Sequence, residues 1–94
     1  MKTNFNVKAE EAILMLQNEN DVLDTEEMRE LRMHDLRRAA ILGTVYSQES
    51  RIEYEDQIGR INTLNSRVLG VTDRNVIVHS HKLIPIHRVS RVVV

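Results

Sequence analysis

The sequence predicts an α+β protein: two N-terminal helices followed by a four- to five-stranded antiparallel small barrel or twisted sheet. Three observations predict it. Apolar residues recur at helical spacing as far as Leu42. From Ser66 this gives way to short β-branched runs separated by turn residues, ending in Arg91-Val92-Val93-Val94. Charge is sorted along the same line. Met1 to Ile58 holds seven Lys/Arg against thirteen Asp/Glu, a balance of −6, and Gly59 to Val94 holds six Lys/Arg against one Asp, a balance of +5. With 94 residues the chain is long enough for one small domain, residues 1–94, with a helical hairpin over 1–43 and the β part over 44–94.

Each element has its own signal. Asn6 is the expected N-cap of a first helix from about Val7 to Asn18, with Ala9, Ala12, Ile13 and Leu16 on one stripe. Asn18-Glu19-Asn20-Asp21 reads as the following turn. Asp24 with Glu27 resembles a capping box, and Thr25 is the competing cap. The second helix then runs to about Leu42, with Met28, Leu31, Met33, Leu36, Ala39, Ala40 and Leu42 as its apolar arc and Gly43 as its C-cap.

Residues 43–61 admit two readings. The preferred one makes two short strands, Thr44-Val45-Tyr46 and Arg51-Ile52-Glu53-Tyr54, around a Ser47–Ser50 turn. The rival continues the helix to Gly59. Beyond that, Arg67 to Val71 is a strand, Thr72-Asp73-Arg74-Asn75 a hairpin turn, and Val76 to His79 the returning strand. Lys82 to Ile86 is a strand whose Pro85 belongs at an edge or bend. Val89 to Val94 closes the chain, either as an exposed edge guarded by Arg91 or with its valines in the core.

Composition narrows the function. The chain has no Cys, which removes disulfides, thiolate nucleophiles and Cys-based zinc sites. The aromatic residues are Phe5, Tyr46 and Tyr54, so the core must be aliphatic and base-stacking surfaces are sparse. No apolar run approaches the ~18 residues a membrane span needs, and Met1 to Phe5 lacks the apolar run of a signal peptide. The cytoplasm is the expected compartment.

Three residue sets merit weighing. Arg60, Arg67, Arg74, Lys82, Arg88 and Arg91 are the candidate nucleic-acid contacts, since cations on one face neutralise phosphates; the plainer alternative is a solvated face pairing with the acidic helices. His79 and His81 would share one side of a strand, with His87 as a third imidazole, the donor set of a Zn²⁺ or Ni²⁺ site or of acid–base cleavage of RNA. The plainer alternative, an exposed polar strand face, is preferred, and no metal or cofactor is expected. Glu49, Glu53, Glu55 and Asp56 read as a solvated acidic face rather than a carboxylate pair at work. With only Gly43, Gly59 and Gly70 there is no glycine-rich phosphate loop, and no catalytic triad is assembled by motif.

From about Arg51 to Val92, the Gly70-bearing strand, the Asp73-Arg74-Asn75 hairpin, the Ile84-Pro85 step and the short His87-Arg88-Val89 link resemble the rhythm of a small SH3-like or Sm-like barrel. Ile84-Pro85-Ile86-His87-Arg88-Val89 is also similar to an Ile-Pro-x-His-Arg-Ile string in an archaeal family linked to RNA-end processing. The Gly-rich, Asp/Asn-bearing Sm signature is absent. What the resemblance implies is an RNA-associated or adaptor module.

The expected function is therefore a non-catalytic binding or regulatory module, RNA- or nucleic-acid-associated through its basic β half. The alternative is a protein–protein adaptor or inhibitor, acting as a homodimer or on an acidic or otherwise charged protein partner. Neither reading involves a membrane or an enzyme activity.

Overall fold

Thr25, rather than Asp24, starts the helix: its Oγ1 accepts a hydrogen bond from the Met28 amide at 3.2 Å. The computed structural model describes residues 20–94, the His81 side chain excepted. The expected first helix, Val7 to Asn18, lies outside the described residues. Among those described there is one α-helix, α1 (Glu26–Val45), followed by six strands in two three-stranded antiparallel sheets.

α1 settles the ambiguous stretch in favour of neither reading alone. It continues three residues past the expected end and absorbs Thr44 and Val45, yet stops well before Gly59. It ends in a left-handed turn in which the Leu42 carbonyl accepts from two amides, those of Tyr46 and Gln48. The Gln48 amide reaches back to the Leu42 carbonyl at 3.0 Å, and Ser47 adopts φ 54° where Gly is usual. Gly43 is therefore not the C-cap. It is buried inside the helix, and a Cβ built on it would stand 2.3 Å from the Val68 carbonyl oxygen. The glycine is needed because helix and strand backbones touch there.

The buried stripe of α1 is Arg32, Leu36, Ala39 and Gly43. The expected apolar arc was too wide: Met28 and Leu31 are exposed, the latter at 62%. Arg32 takes the inward position one turn before Leu36, because a carboxylate waits for it there.

β1 (Ser50–Glu55) pairs with β2 (Ile61–Ser66), Ile52 opposite Leu64, and on its other side with β6 (Val89–Val93), Ile52 opposite Val92. Together they form the sheet of order β2-β1-β6. β3 (Val68–Val71), β4 (Asn75–Val78) and β5 (Lys82–Pro85) form the second sheet in that order. Only Arg67 separates β2 from β3, so one extended run leaves the first sheet and enters the second. The β3–β4 hairpin forms where expected, though Thr72 holds it: its Oγ1 accepts from the Asn75 amide at 2.9 Å. Pro85 ends the outer strand β5, where its missing N–H is tolerated. A short 3₁₀ turn over Ile86–Arg88 leads into β6.

Between α1 and the sheets lies an aliphatic core of Leu36, Ala39, Ile52, Val68, Val76, Val78, Ile84, Ile86 and Val89. Val89 is fully buried and Arg91 exposed, so the last strand is both a core strand and an outer strand of its sheet.

Two buried guanidiniums lock the residues preceding α1 onto this frame. Arg32, 6% exposed, meets Asp21 end-on, Nη1 donating to Oδ1 at 2.8 Å and Nη2 to Oδ2 at 2.7 Å, and Nη1 also donates to the Val89 carbonyl at 3.0 Å. Arg88, 4% exposed, donates to the carbonyls of Asn20 at 3.1 Å and Asp56 at 3.3 Å, and its Nη2 lies 3.6 Å from a Glu55 carboxylate oxygen. The Val22 amide adds a bond to the His87 carbonyl at 2.9 Å. Burial pushes the Asp21 carboxyl up, but the Arg32 and Leu23 hydrogen bonds and the Arg32 and Arg29 charges outweigh it and hold it below its ordinary range.

Gly43→Ala is expected to destabilise the fold by about 1–3 kcal/mol in urea denaturation, because the clash with Val68 outweighs the roughly 1 kcal/mol of helix propensity that alanine brings. Asp21 and Asp56 both titrate below the ordinary value of about 3.8 when folded. Their stabilisation is therefore complete above that pH and is lost as the pH falls through the lower folded values. Thermal melts across the acid range should show a midpoint insensitive to these two groups above about pH 5 and falling below about pH 4. Replacing both aspartates with asparagine should flatten that fall.

Candidate functional site: a basic depression at the junction of the sheets

The six expected phosphate contacts do not share one face. Arg88 leaves the set, because its guanidinium is buried and occupied by backbone carbonyls. It was expected among the phosphate contacts, but the 3₁₀ turn rotates its side chain inward against the end of β1. Arg60 is exposed and pairs with Asp56 at 3.4 Å. Arg74 sits in the β3–β4 turn, beside a depression of about 570 Å³ whose lining also includes Asp21, Glu26, Glu30 and Asp73. Arg91 projects from β6 next to a groove that also contains Asp35.

Arg67 and Lys82 are different. Both line a depression of about 430 Å³ together with Asn65, Ser66, His79 and Glu49. Arg67 is the residue between β2 and β3, so the bend of the chain aims its side chain across the junction. One of its nitrogens lies 3.1 Å from His79 Nδ1, and another donates to the Ser47 hydroxyl at 3.4 Å. The His79 amide, in turn, donates to the Arg67 carbonyl at 2.9 Å, which fixes the two residues at the backbone as well. Lys82 opens β5 directly after the turn. Among the described residues Glu49 is the sole carboxylate of this lining. Among the described residues none of Arg67, Arg74, Lys82 and Arg91 is ion-paired.

The histidines are dispersed. His79 and His81 do not alternate along a strand. They belong to a 3₁₀ turn whose middle residue, Ser80, has φ 72°. That left-handed residue breaks the period of two on which a shared face depends. His87 lines the other, mixed-charge depression beside Arg74. Among the described residues no group of three metal-ligating side chains comes together.

The acidic set divides as well. Asp56 is buried and organises the β1–β2 connection. Its Oδ1 accepts from the Arg60 amide at 2.9 Å and the Ile58 amide at 3.1 Å, and Oδ2 accepts from Asn62 Nδ2 at 3.1 Å. The Arg60 amide does most to hold its carboxyl below the ordinary range, against some burial, with Asn62, Ile58 and the Arg60 charge adding to it. Gly59 completes the turn at φ 84°. Sequence reasoning placed Asp56 on a solvated face. The Asp56-Gln57-Ile58-Gly59 order, an Asx turn followed by glycine, was the available signal for a hairpin. Arg32 and Asp21 had no such signal, being 11 positions apart and not on a common helix.

Fold and site together define a small α+β protein with a basic depression between its two sheets. Comparison with protein-family models, curated proteins and solved structures gave no match. Among the described residues no helix is long and apolar enough to cross a membrane.

Proposed function

We propose that this protein is a non-catalytic, cytoplasmic binding module of small SH3-like barrel design that associates with RNA through the depression formed by Arg67, His79 and Lys82. The observation that carries the reading is the convergence of these three residues, from three segments of the chain, on one concavity with a single carboxylate in its lining among the described residues. A guanidinium, an imidazole and an ammonium in one concavity suit a phosphodiester oxygen, and Asn65 adds a neutral hydrogen-bonding group. The barrel design is supported by the run through Arg67 that both sheets share, and by the pairing of first and last strands. Arg60, Arg74 and Arg91 lie elsewhere and serve at most as peripheral attraction.

Filter binding of single-stranded RNA at low salt tests this. Arg67→Ala with Lys82→Ala is expected to weaken binding about tenfold or more and to reduce the slope of log affinity against log salt by roughly 0.7–1.4, one or two phosphate contacts. No retention of RNA by the parent protein, or retention untouched by the double substitution, rejects the reading.

A second reading, a homodimerising adaptor, is favoured by β2. It is an outer strand of its sheet, and Ile61-Asn62-Thr63-Leu64-Asn65-Ser66 carries no charge or proline to discourage pairing. It predicts a dimer in sedimentation equilibrium that Thr63→Lys shifts to monomer. A monomer at all concentrations removes it.

A further inference from the structure

The helix end places an exposed tyrosine next in sequence to Ser47, which Arg67 of the basic depression contacts. Tyr46 is the C-cap of α1 and 69% exposed. Its neighbour Ser47, one Cα step of about 3.8 Å away, is the residue whose hydroxyl accepts from Arg67. Arg67 in turn contacts His79. The left-handed helix end fixes the Ser47 contact, because Ser47 holds φ 54° and the Gln48 amide is tied back to Leu42. A non-glycine residue in the left-handed region carries strain, and here it keeps a side chain that reaches the arginine. Ile41 and Val45, one helical turn apart, are also exposed on the same helix end.

Resting on the RNA reading above, we infer that Tyr46 is a stacking platform for an unpaired base, so that the site takes a single-stranded nucleotide with its phosphate on Arg67, His79 and Lys82. A ring in this position adds affinity through a base's π-face, which is available in a single strand and hidden in a duplex. An acidic peptide would engage the cations without needing the ring. A second protein would cover Tyr46, Val45 and Ile41 together without needing the cations. An exposed ring one residue from a contact of Arg67 fits a nucleotide, which has both a flat face and an anionic link.

Because the Tyr46 side chain is exposed and its hydrogen bond to Leu42 is made by the backbone amide, Tyr46→Ala is expected to fold as the parent does. Fluorescence anisotropy with single-stranded RNA of about ten nucleotides, and with a duplex of the same length, compares the parent with Tyr46→Ala, Tyr46→Phe and the Arg67→Ala/Lys82→Ala protein. Tyr46→Ala should weaken single-strand binding about five- to twentyfold with the salt slope unchanged, Tyr46→Phe should restore most of it, and duplex binding should be indifferent to both. Single-strand binding unaltered by Tyr46→Ala, or an equal loss on single strand and duplex, overturns the inference while leaving the basic site standing. Absence of all binding by the parent overturns both. A concentration-dependent rise in the parent's mass that Tyr46→Ala abolishes assigns the ring to a protein interface and also overturns it.

Discussion

The fold turns on two arginines that sit where hydrophobic residues would ordinarily be. Arg32 and Arg88 are both nearly inaccessible, and both spend their donors on backbone carbonyls as well as carboxylates. A buried guanidinium is tolerable only when its charge is met and its N–H groups are used. Here the partners come from segments far apart in sequence: Asp21 and Asn20 before the helix, Glu55 and Asp56 at the end of β1, Val89 at the start of β6. Of the nitrogens of these two guanidiniums, Arg32 Nε alone has no partner among the described residues. Each arginine therefore specifies an arrangement more than it adds stability. A slipped β6 or a displaced 20–24 segment would leave a desolvated charge unmet, which no apolar core of this size would compensate.

That arrangement positions the candidate site. With β6 anchored by Arg32 and the Ile86–Arg88 turn anchored by Arg88, the second sheet is held at its β5 end. At its β3 end it is held by the contact of Gly43 with Val68. The chain between the two sheets then has one residue, Arg67, in which to change direction. Its side chain is directed at the turn over His79–His81 on one side and at the end of α1 on the other. The basic depression is thus a by-product of how helix and sheets are fixed together, and its cations are held by backbone geometry rather than by flexible loops.

Much of this was legible in the sequence, and the failures have physical reasons. The helix after Thr25, the Thr72–Asn75 hairpin, the Pro85 edge and the aliphatic core follow from local chemistry, and local chemistry is what a sequence displays. Gly43 was misread because a helix-ending glycine and a helix-packing glycine look alike until Val68 is opposite. Arg32 was invisible as a core residue because its burial depends on Asp21. The His79–His81 pair misled because alternation has meaning only on a strand, and Ser80 takes a left-handed conformation. β2 went unread because Ile61 to Ser66 has little β-branched density; its pairing with β1 makes it a strand.

The charge sorting that divides the chain takes on a narrower sense in three dimensions. Arg60 and Arg88 of the basic half are ion-paired with Asp56 and Glu55 of the acidic half, so part of each balance is cancelled across the end of β1. Asp21 is answered within the acidic half itself, by Arg32 and Arg29. What remains is Arg67, Arg74, Lys82 and Arg91, without ion pairs among the described residues. Arg74 and Arg91 stand beside carboxylates that line the same hollows, which lowers the local potential available to an anion. Arg67 and Lys82 share a hollow with one carboxylate and a histidine. Local potential, not net charge, draws an anionic ligand within a screening length of about 10 Å. A chain with a formal charge of −1 can therefore still gather cations locally, and the junction of the two sheets is where Arg67 and Lys82 come together.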